Sequence, residues 1–374
     1  MARFETIALQ LEAEILKGRH GTLGQRFMTV RQLAEHYGIS LVTAHKVLKR
    51  LKDEGLLVAD STNPAVISPA AARRMGAANG GPQRIGIVVT NIASPFFSNL
   101  CRYVQQAATA AGCQVLMASS QYDFARERKA IESFLEIGVQ GLLVVPGLDD
   151  SCRQLYRDLL TSGVALGFLS RHVEDLAVDF VVPDSFTASA AVAGHLLSMG
   201  YDRPAYLGFS AGLKRDVRLS GFRAALTEEG VALPDERIVY GEGGTIAHGR
   251  KAMARLMERR SRPRAVFAFS DLLAIGALQY CQERNLSVPG DVAIAGFDNL
   301  PQSHVTSPPL TTVAYPSESM ARLAVQCLLD RVRQPHAATN RILLEPRLVV
   351  RGSTDPEARE PDPTPTTESY EVLY

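Results

Sequence analysis

Two sets of residues in this chain have types and spacings that could do chemistry. The first lies in Thr29–Gly55, where Thr43, His45, Lys46 and Lys49 share the outward face of a short helical pattern with Leu41, Val42 and Arg50. A threonine there can donate to a phosphate or pack on a thymine methyl, and a lysine can reach guanine or the backbone. The second set is dispersed. Asn91, Phe97, Asp123, Arg171, Asp184, Arg218, Ser270 and Asp298 follow or flank short apolar runs across the rest of the chain. Carboxylates and guanidinium groups so placed can form paired hydrogen bonds to vicinal hydroxyls, and an aromatic ring can stack on the apolar face of a sugar.

The elements that must position the first set are legible. Val30, Leu33, Ala34 and Tyr37 recur at i, i+3, i+4 and i+7, the stripe of a buried helix face, and Ala44, Val47, Leu48 and Leu51 repeat it. Gly38 stands where the first helix needs a stop and Ser40 where the second needs an N-cap. Two short helices about a glycine turn form the helix-turn-helix pattern, whose second helix enters the DNA major groove. An amphipathic helix on Phe4, Ile7, Ala8, Leu11 and Ile15 precedes them, and Leu56–Val58 and Val66–Ile67 follow as a small β-ribbon. A winged helix-turn-helix domain over residues 1–68 is the result, joined by a linker at 69–83 rich in Ala, Gly and Pro.

From Arg84 the pattern becomes alternating apolar runs and amphipathic stretches. Strands are predicted at Ile85–Val89, Gln114–Ala118, Gly141–Val145, Val164–Leu169, Ala205–Phe209, Ala265–Phe269 and Val292–Gly296, with helical stretches between them. Repeated β-α-β units with near-continuous apolar strands mean an α/β fold of parallel sheets covered by helices. The series divides near Val182–Asp184, which predicts two doubly wound lobes over residues 84–352. Such folds bind ligands beyond the carboxyl ends of their strands, where the second set of residues falls. The Pro-rich acidic tail at 353–374 is expected to be disordered.

Charge agrees with this division. Residues 1–84 carry 12 Lys/Arg against 7 Asp/Glu, a net of +5, so the other 290 of the 374 residues sum to −4 within the overall +1. A basic head on a mildly acidic body suits contact with phosphates at one end. The five cysteines show neither CxxC nor Cys/His metal spacing and read as reduced, buried thiols; no metal or cofactor is expected. Glu5, Glu12 and Glu14 break any signal-peptide pattern, and no apolar run reaches a membrane-spanning length, which predicts a cytoplasmic protein.

These motifs resemble two known families. Ile15-Leu16-Lys17-Gly18, Arg31-Gln32-Leu33-Ala34, Gly38-Ile39-Ser40 and Leu51–Leu56 resemble the DNA-binding domain of GntR-family bacterial regulators. That resemblance implies DNA contacts from Arg31, Thr43, His45 and Lys46, with Ser40 and Lys49 beside them. The family often carries Arg directly after the cap and again four residues on, where this chain has Leu41 and His45, and Asp60–Pro64 replaces its Gly-rich wing tip. Ser94–Phe97, Arg218–Phe222, Phe269–Gly276, Val288–Val292, Gly296–Asp298, Pro308–Val313 and Leu348–Ser353 resemble the effector domain of LacI/GalR repressors. Carried over position by position, that resemblance makes Asn91, Phe97, Asp123, Arg171, Asp184, Arg218, Ser270 and Asp298 the effector contacts. Ser270 stands where Asn is common, and Asp184 follows Pro183 rather than valine. The resemblances imply a homodimeric repressor of carbohydrate-use genes, released from operator DNA by a sugar that binds between the lobes. An activator, or a co-repressor-dependent regulator with a non-sugar ligand, is the nearby alternative.

One enzymatic pattern competes. Gly208-Phe209-Ser210-Ala211-Gly212 fits the G-x-S-x-G nucleophile elbow of α/β-hydrolases, with Asp271 and His304 following in the permitted order. Against it, Ala211–Lys214 reads as a loop where the elbow needs a helix, and no HGG-type oxyanion segment precedes it. Neither a dinucleotide-binding nor a P-loop motif occurs.

Overall fold

The computed structural model describes residues 3–16, 19–20, 25–58, 65–68, 83–147, 151–209, 216–358 and 370–373. The N-terminal helices form where the apolar periods place them: α1 Arg3–Leu16, α2 Val30–Tyr37 and α3 Leu41–Asp53. Thr29 caps α2 through a reciprocal capping box with Gln32, and Gly38 ends it in the left-handed region at φ +58°, donating to Ala34 and Glu35 carbonyls. Ser40 caps α3 by accepting from the Thr43 amide at 3.2 Å. Each such cap satisfies an amide that the helix cannot, worth about 1 kcal/mol. Ile7, Leu11, Ile15, Leu33, Val47, Leu48, Leu51, Leu56 and Ile67 close the core of this domain. Leu57–Val58 and Val66–Ile67 pair antiparallel as the base of the wing. The Asp60–Pro64 wing tip and the linker up to residue 82 lie outside the described residues.

The chain divides into two units. The first comprises Met1–Ala93, Leu100–Phe180 and Ala321–Asn340; the second comprises Ser94–Asn99, Val181–Met320 and Arg341–Tyr374. The first unit contains a parallel sheet in which Gln83–Val89 lies between Cys113–Ser119 and Gly141–Val144, and Gly141–Val144 pairs onward with Ala165–Leu169. Asp179 is buried there, held by both Arg331 nitrogens at 2.8 and 2.9 Å and by the Asn340 amide at 2.7 Å.

The second unit is built on a six-stranded sheet ordered Arg347–Val349, Thr311–Ala314, Ala293–Asp298, Ala265–Ala268, Pro204–Gly208, Ile238–Tyr240. Its pairings are parallel except that between Thr311–Ala314 and Arg347–Val349. Alternate strand residues serve opposite faces, as a pleated strand requires. Ala205, Leu207, Val266, Ala268 and Ile294 pack with helices Ile246–Met257 and Asp271–Glu283. Tyr206, Phe267, Ala295 and Phe297 pack with helices Ser185–Ser198 and Val217–Glu228 on the other side. Helices Ile246–Met257 and Asp271–Glu283 touch backbone to backbone. A Cβ on Gly276 would collide with the Ile246 carbonyl, and one on Gly249 with that of Leu273.

The seven predicted strands form, each with one or both ends displaced by one or two residues. Further elements were not predicted: strands Asp179–Pro183, Ile238–Tyr240, Thr311–Ala314, Arg341–Leu344 and Arg347–Val349, and helix Ser317–Arg333. The expected boundaries at 84 and 353 also shift. Gln83 already belongs to its strand, and Ser353 and Thr354 are fully buried, so the α/β region continues past 352. Ser353 Oγ receives the Thr311 amide at 2.8 Å, which fixes the chain there. The tail also contributes structure: Tyr370–Leu373 pairs antiparallel with Arg341–Leu344, a short β-prone run completing hydrogen bonds at a strand edge. All five cysteines are free thiols. Among the described residues no helix is long and apolar enough to cross a membrane.

Candidate functional site

Recognition chemistry begins on α3. Its buried stripe is Ala44, Val47, Leu48 and Leu51, which leaves Val42, His45, Lys46 and Lys49 exposed at i, i+3, i+4 and i+7 on the opposite face, with Leu41 exposed beside them. Arg31 is exposed on the first turn of α2. Ser40 and Thr43 are partly committed elsewhere: besides capping, their hydroxyls share a hydrogen bond of 2.8 Å. Thr43 therefore offers its methyl more freely than its hydroxyl. Arg50 is paired with Glu54 at 2.8 Å, so the cations of this face are Lys46 and Lys49.

Within the first unit, three predicted residues follow carboxyl ends of strands of the parallel sheet. Asn91 closes a turn by accepting from the Ala93 amide at 3.1 Å. Asp123 caps helix Phe124–Ile137, accepting from the Arg126 amide at 2.8 Å. Arg171 follows Ser170, whose φ is +67°, and donates to the Thr90 hydroxyl at 3.2 Å. That bond ties the ends of the strands Ala165–Leu169 and Gln83–Val89 together.

In the second unit the structure brings Arg218 and Asp298 to one place. Their charged atoms are 3.6 Å apart, and the two side chains are only 12% and 9% exposed. The Arg218 guanidinium lies over the Phe297 ring at 3.8 Å and the Phe269 ring at 4.3 Å, and donates to the Phe269 carbonyl. Burial pushes the Asp298 carboxyl up to about 7, with Arg218 opposing that rise. A guanidinium on aromatic faces beside a carboxyl presents donors, acceptors and an apolar wall together, the groups a polyol needs.

Supporting residues hold this arrangement. Asp216 caps helix Val217–Glu228 through the Leu219 amide at 3.0 Å, and the Tyr206 hydroxyl reaches both of its oxygens at 3.1 and 2.9 Å. The helix start that carries Arg218 is thereby fixed. Asp298 and Asn299 sit at φ +115° and +50°, a backbone path that costs on the order of 1–3 kcal/mol for residues with a side chain. Asp271 anchors that path from beneath. It is fully buried, accepts from the Leu300 amide at 2.7 Å and receives the Thr312 hydroxyl at 2.5 Å. Burial, with Asp298 nearby, raises its carboxyl well above the ordinary range. Buried Arg351 completes the support by donating to the Asn299 side chain at 2.9 Å and the Leu310 carbonyl at 2.8 Å.

The remaining predicted residues of this unit have other contacts. Asp184 caps helix Ser185–Ser198 through the Thr187 amide at 3.0 Å. Ser270 occupies the N-cap position of helix Asp271–Glu283 without a capping bond from its hydroxyl. Phe97 is 8% exposed and packs edge-on to Phe96 at 4.9 Å. Asp216, Phe269, Thr312 and Arg351 were not singled out as site residues from the sequence. Asp216, three residues before a leucine at a helix start, carried a readable capping signal. The contacts of Thr312 and Arg351 are long-range and had no local signal.

The hydrolase arrangement finds no support in the geometry of its partners. Ser210 lies outside the described residues. Asp271 holds Leu300 and Thr312, while the His304 ring lies 3.1 Å from the Arg351 guanidinium.

Residues 4–67 match the family of bacterial regulatory proteins, gntR family, and residues 193–354 match the periplasmic binding protein-like domain. The chain is 31% identical over 340 residues to the HTH-type transcriptional regulator DegA of Bacillus subtilis, covering 88% of this chain and 98% of that protein. It is 30% identical to the HTH-type transcriptional repressor CytR of Escherichia coli, over 72% of this chain and 78% of that one. Among solved structures it resembles the transcriptional regulator CelR in complex with cellobiose, with a TM-score of 0.66 over 87% of this chain and 99% of that one, at 26% identity. The chain belongs to the HTH-type bacterial transcriptional regulators, with a gntR-family DNA-binding domain at its N-terminus and a LacI-type, periplasmic-binding-protein-like domain after it.

Proposed function

We propose that this regulator is a cytoplasmic, homodimeric repressor of carbohydrate-use genes and that a sugar or sugar derivative releases it from its operator. The observation that carries this reading is the Arg218–Asp298 pair set against Phe297 and Phe269 at the carboxyl ends of parallel strands. A guanidinium and a carboxyl can share adjacent hydroxyls while the partly exposed Phe269 ring meets a C–H face. Asn91, Phe97, Asp123, Arg171, Asp184 and Ser270 are the further effector contacts in this proposal. Arg31, Ser40, Thr43, His45, Lys46 and Lys49 hold DNA, each protomer placing one α3 in one half of a pseudo-palindrome. The molecule acts by binding rather than catalysis. By linkage, effector and operator oppose each other by the same free energy, about 1–3 kcal/mol in typical allosteric proteins.

The test is a thermal-shift screen of the full chain against pentoses, hexoses, sugar acids and sugar phosphates, followed by operator-release assays with the compounds that bind. A binder that raises the melting temperature and lowers operator affinity is expected. A binder that tightens operator binding makes the protein co-repressor-dependent, and a screen in which only non-carbohydrates bind overturns the sugar assignment. Light scattering of the free protein checks the dimer.

A further inference from the structure

On the reading that α3 enters the major groove, we propose that Leu41 and Val42 are specificity-determining residues that read thymine through its C5-methyl group. Both are exposed, Leu41 by 55% and Val42 by 68%, on a helix whose other large apolar residues are buried. They are not needed by the core of this domain, which Ala44, Val47, Leu48 and Leu51 supply from α3. Val42 begins the stripe that continues through His45, Lys46 and Lys49, so it faces the same way as the cations that reach phosphate. Leu41 lies one helical turn before His45 on the flank of that stripe.

Their position in the helix decides what they meet. The N-terminal residues of a reading helix are the ones that reach base edges. The Ser40 cap fixes the first turn of α3, so Leu41 and Val42 are held on rigid backbone. Neither side chain has a donor or an acceptor, so neither can satisfy the hydrogen-bonding edge of guanine, adenine or cytosine. The apolar group the major groove offers is the thymine C5-methyl. An aliphatic pair at this place therefore favours thymine and leaves the polar edges of guanine and cytosine desolvated without a partner, which adds discrimination against them. The occupant of this apolar face is duplex DNA, because the face is continuous with Lys46 and Lys49 and belongs to the gntR-family domain matched at residues 4–67.

The experiment uses the full-length protein. Duplexes that it binds are selected from a random pool, and each thymine of the selected half-site is then replaced singly by uracil, which deletes the methyl and nothing else. At one or two positions uracil is expected to weaken binding about fourfold, the equivalent of leaving one methyl-sized group unburied. Leu41→Ser and Val42→Ser, which alter exposed positions, are expected to bind thymine and uracil duplexes within twofold of each other at the position each reads. Uracil that changes wild-type affinity by less than twofold at every thymine overturns the proposal, as do variants that retain the full discrimination. If Lys46→Ala also leaves binding to the selected duplexes intact, the placement of α3 in the groove fails as well, which separates the two conclusions.

Discussion

Asp298→Asn offers a quantitative test of how the second unit holds its charged pair. In the folded chain burial lifts the Asp298 carboxyl from 3.8 to about 7, against the pull of Arg218. An acid whose folded value is raised binds its proton more tightly when native than when unfolded. Its contribution to stability is therefore fully present below pH 3.8 and is lost as pH rises toward 7. At about 1.4 kcal/mol per pH unit the whole interval is worth up to about 4 kcal/mol, and about 2–3 kcal/mol of it falls between pH 5 and pH 8. Asparagine has nearly the same shape and does not ionise. Urea unfolding of wild type and Asp298→Asn, followed by circular dichroism at pH 5, 6, 7 and 8, reads the difference. The variant is expected to gain on wild type steadily with pH and to level off above pH 7. Parallel pH profiles for the two proteins would refute the reasoning, because they would mean that Asp298 is already ionised in the folded state near pH 5.

Three other outcomes test the remaining assignments. Lys46→Ala is expected to weaken operator binding by a similar factor on every sequence and to flatten its salt dependence, whereas Thr43→Ala changes base preference; gel-shift titrations at two salt concentrations separate them. Arg171→Ala and Arg218→Ala are expected to abolish effector-driven release while operator affinity without effector stays within twofold, measured by fluorescence anisotropy of labelled operator. Gly276→Val places a branched side chain against the Ile246 carbonyl and the Arg250 amide, and is expected to cost on the order of 1–3 kcal/mol or more in thermal or urea unfolding.

Local rules account for what was legible. α2 and α3 each carry a four-residue apolar stripe, and the Gly38 stop and the Ser40 cap between them were predicted to the residue. Six of the seven predicted strands are apolar runs buried on both faces, which makes them conspicuous; Cys113–Ser119 is largely half-buried. Thr311–Ala314 and Arg347–Val349 escaped because each is only three or four residues long and is defined by its neighbour rather than by its own pattern. Helix Ser317–Arg333 did have a usable signal: Met320, Ala321, Ala324, Val325, Leu328 and Leu329 are buried at helical spacing. Buried Ser353 and Thr354 were hidden by the polarity of the segment after them. Thr354 accepts no local cue at all; its hydroxyl meets those of Thr311 at 2.7 Å and the His195 ring at 2.7 Å, both far away in sequence.

The candidate effector residues show why the list and the site are different objects. Asp123 and Asp184 are polar residues that follow strands, and both are helix N-caps. The two roles are compatible, because an aspartate that accepts one backbone amide keeps a second oxygen, and a cap holds that oxygen at a helix N-terminus in a fixed direction. Arg218 and Asp298 differ from them in kind. Their side chains are mostly buried, their partners come from two strand ends and a helix, and the backbone at Asp298 and Asn299 is strained. Strain of that sort persists only where surrounding bonds over-determine it, and here Asp271, Thr312 and Arg351 supply those bonds. Loss of Asp271 would release the Leu300 amide and the Thr312 hydroxyl together and let the Asp298 turn relax away from Arg218. The geometry of the recognition pair thus depends on residues that contact no effector in the proposed site, and sequence position relative to a strand end reveals the pair but not its support.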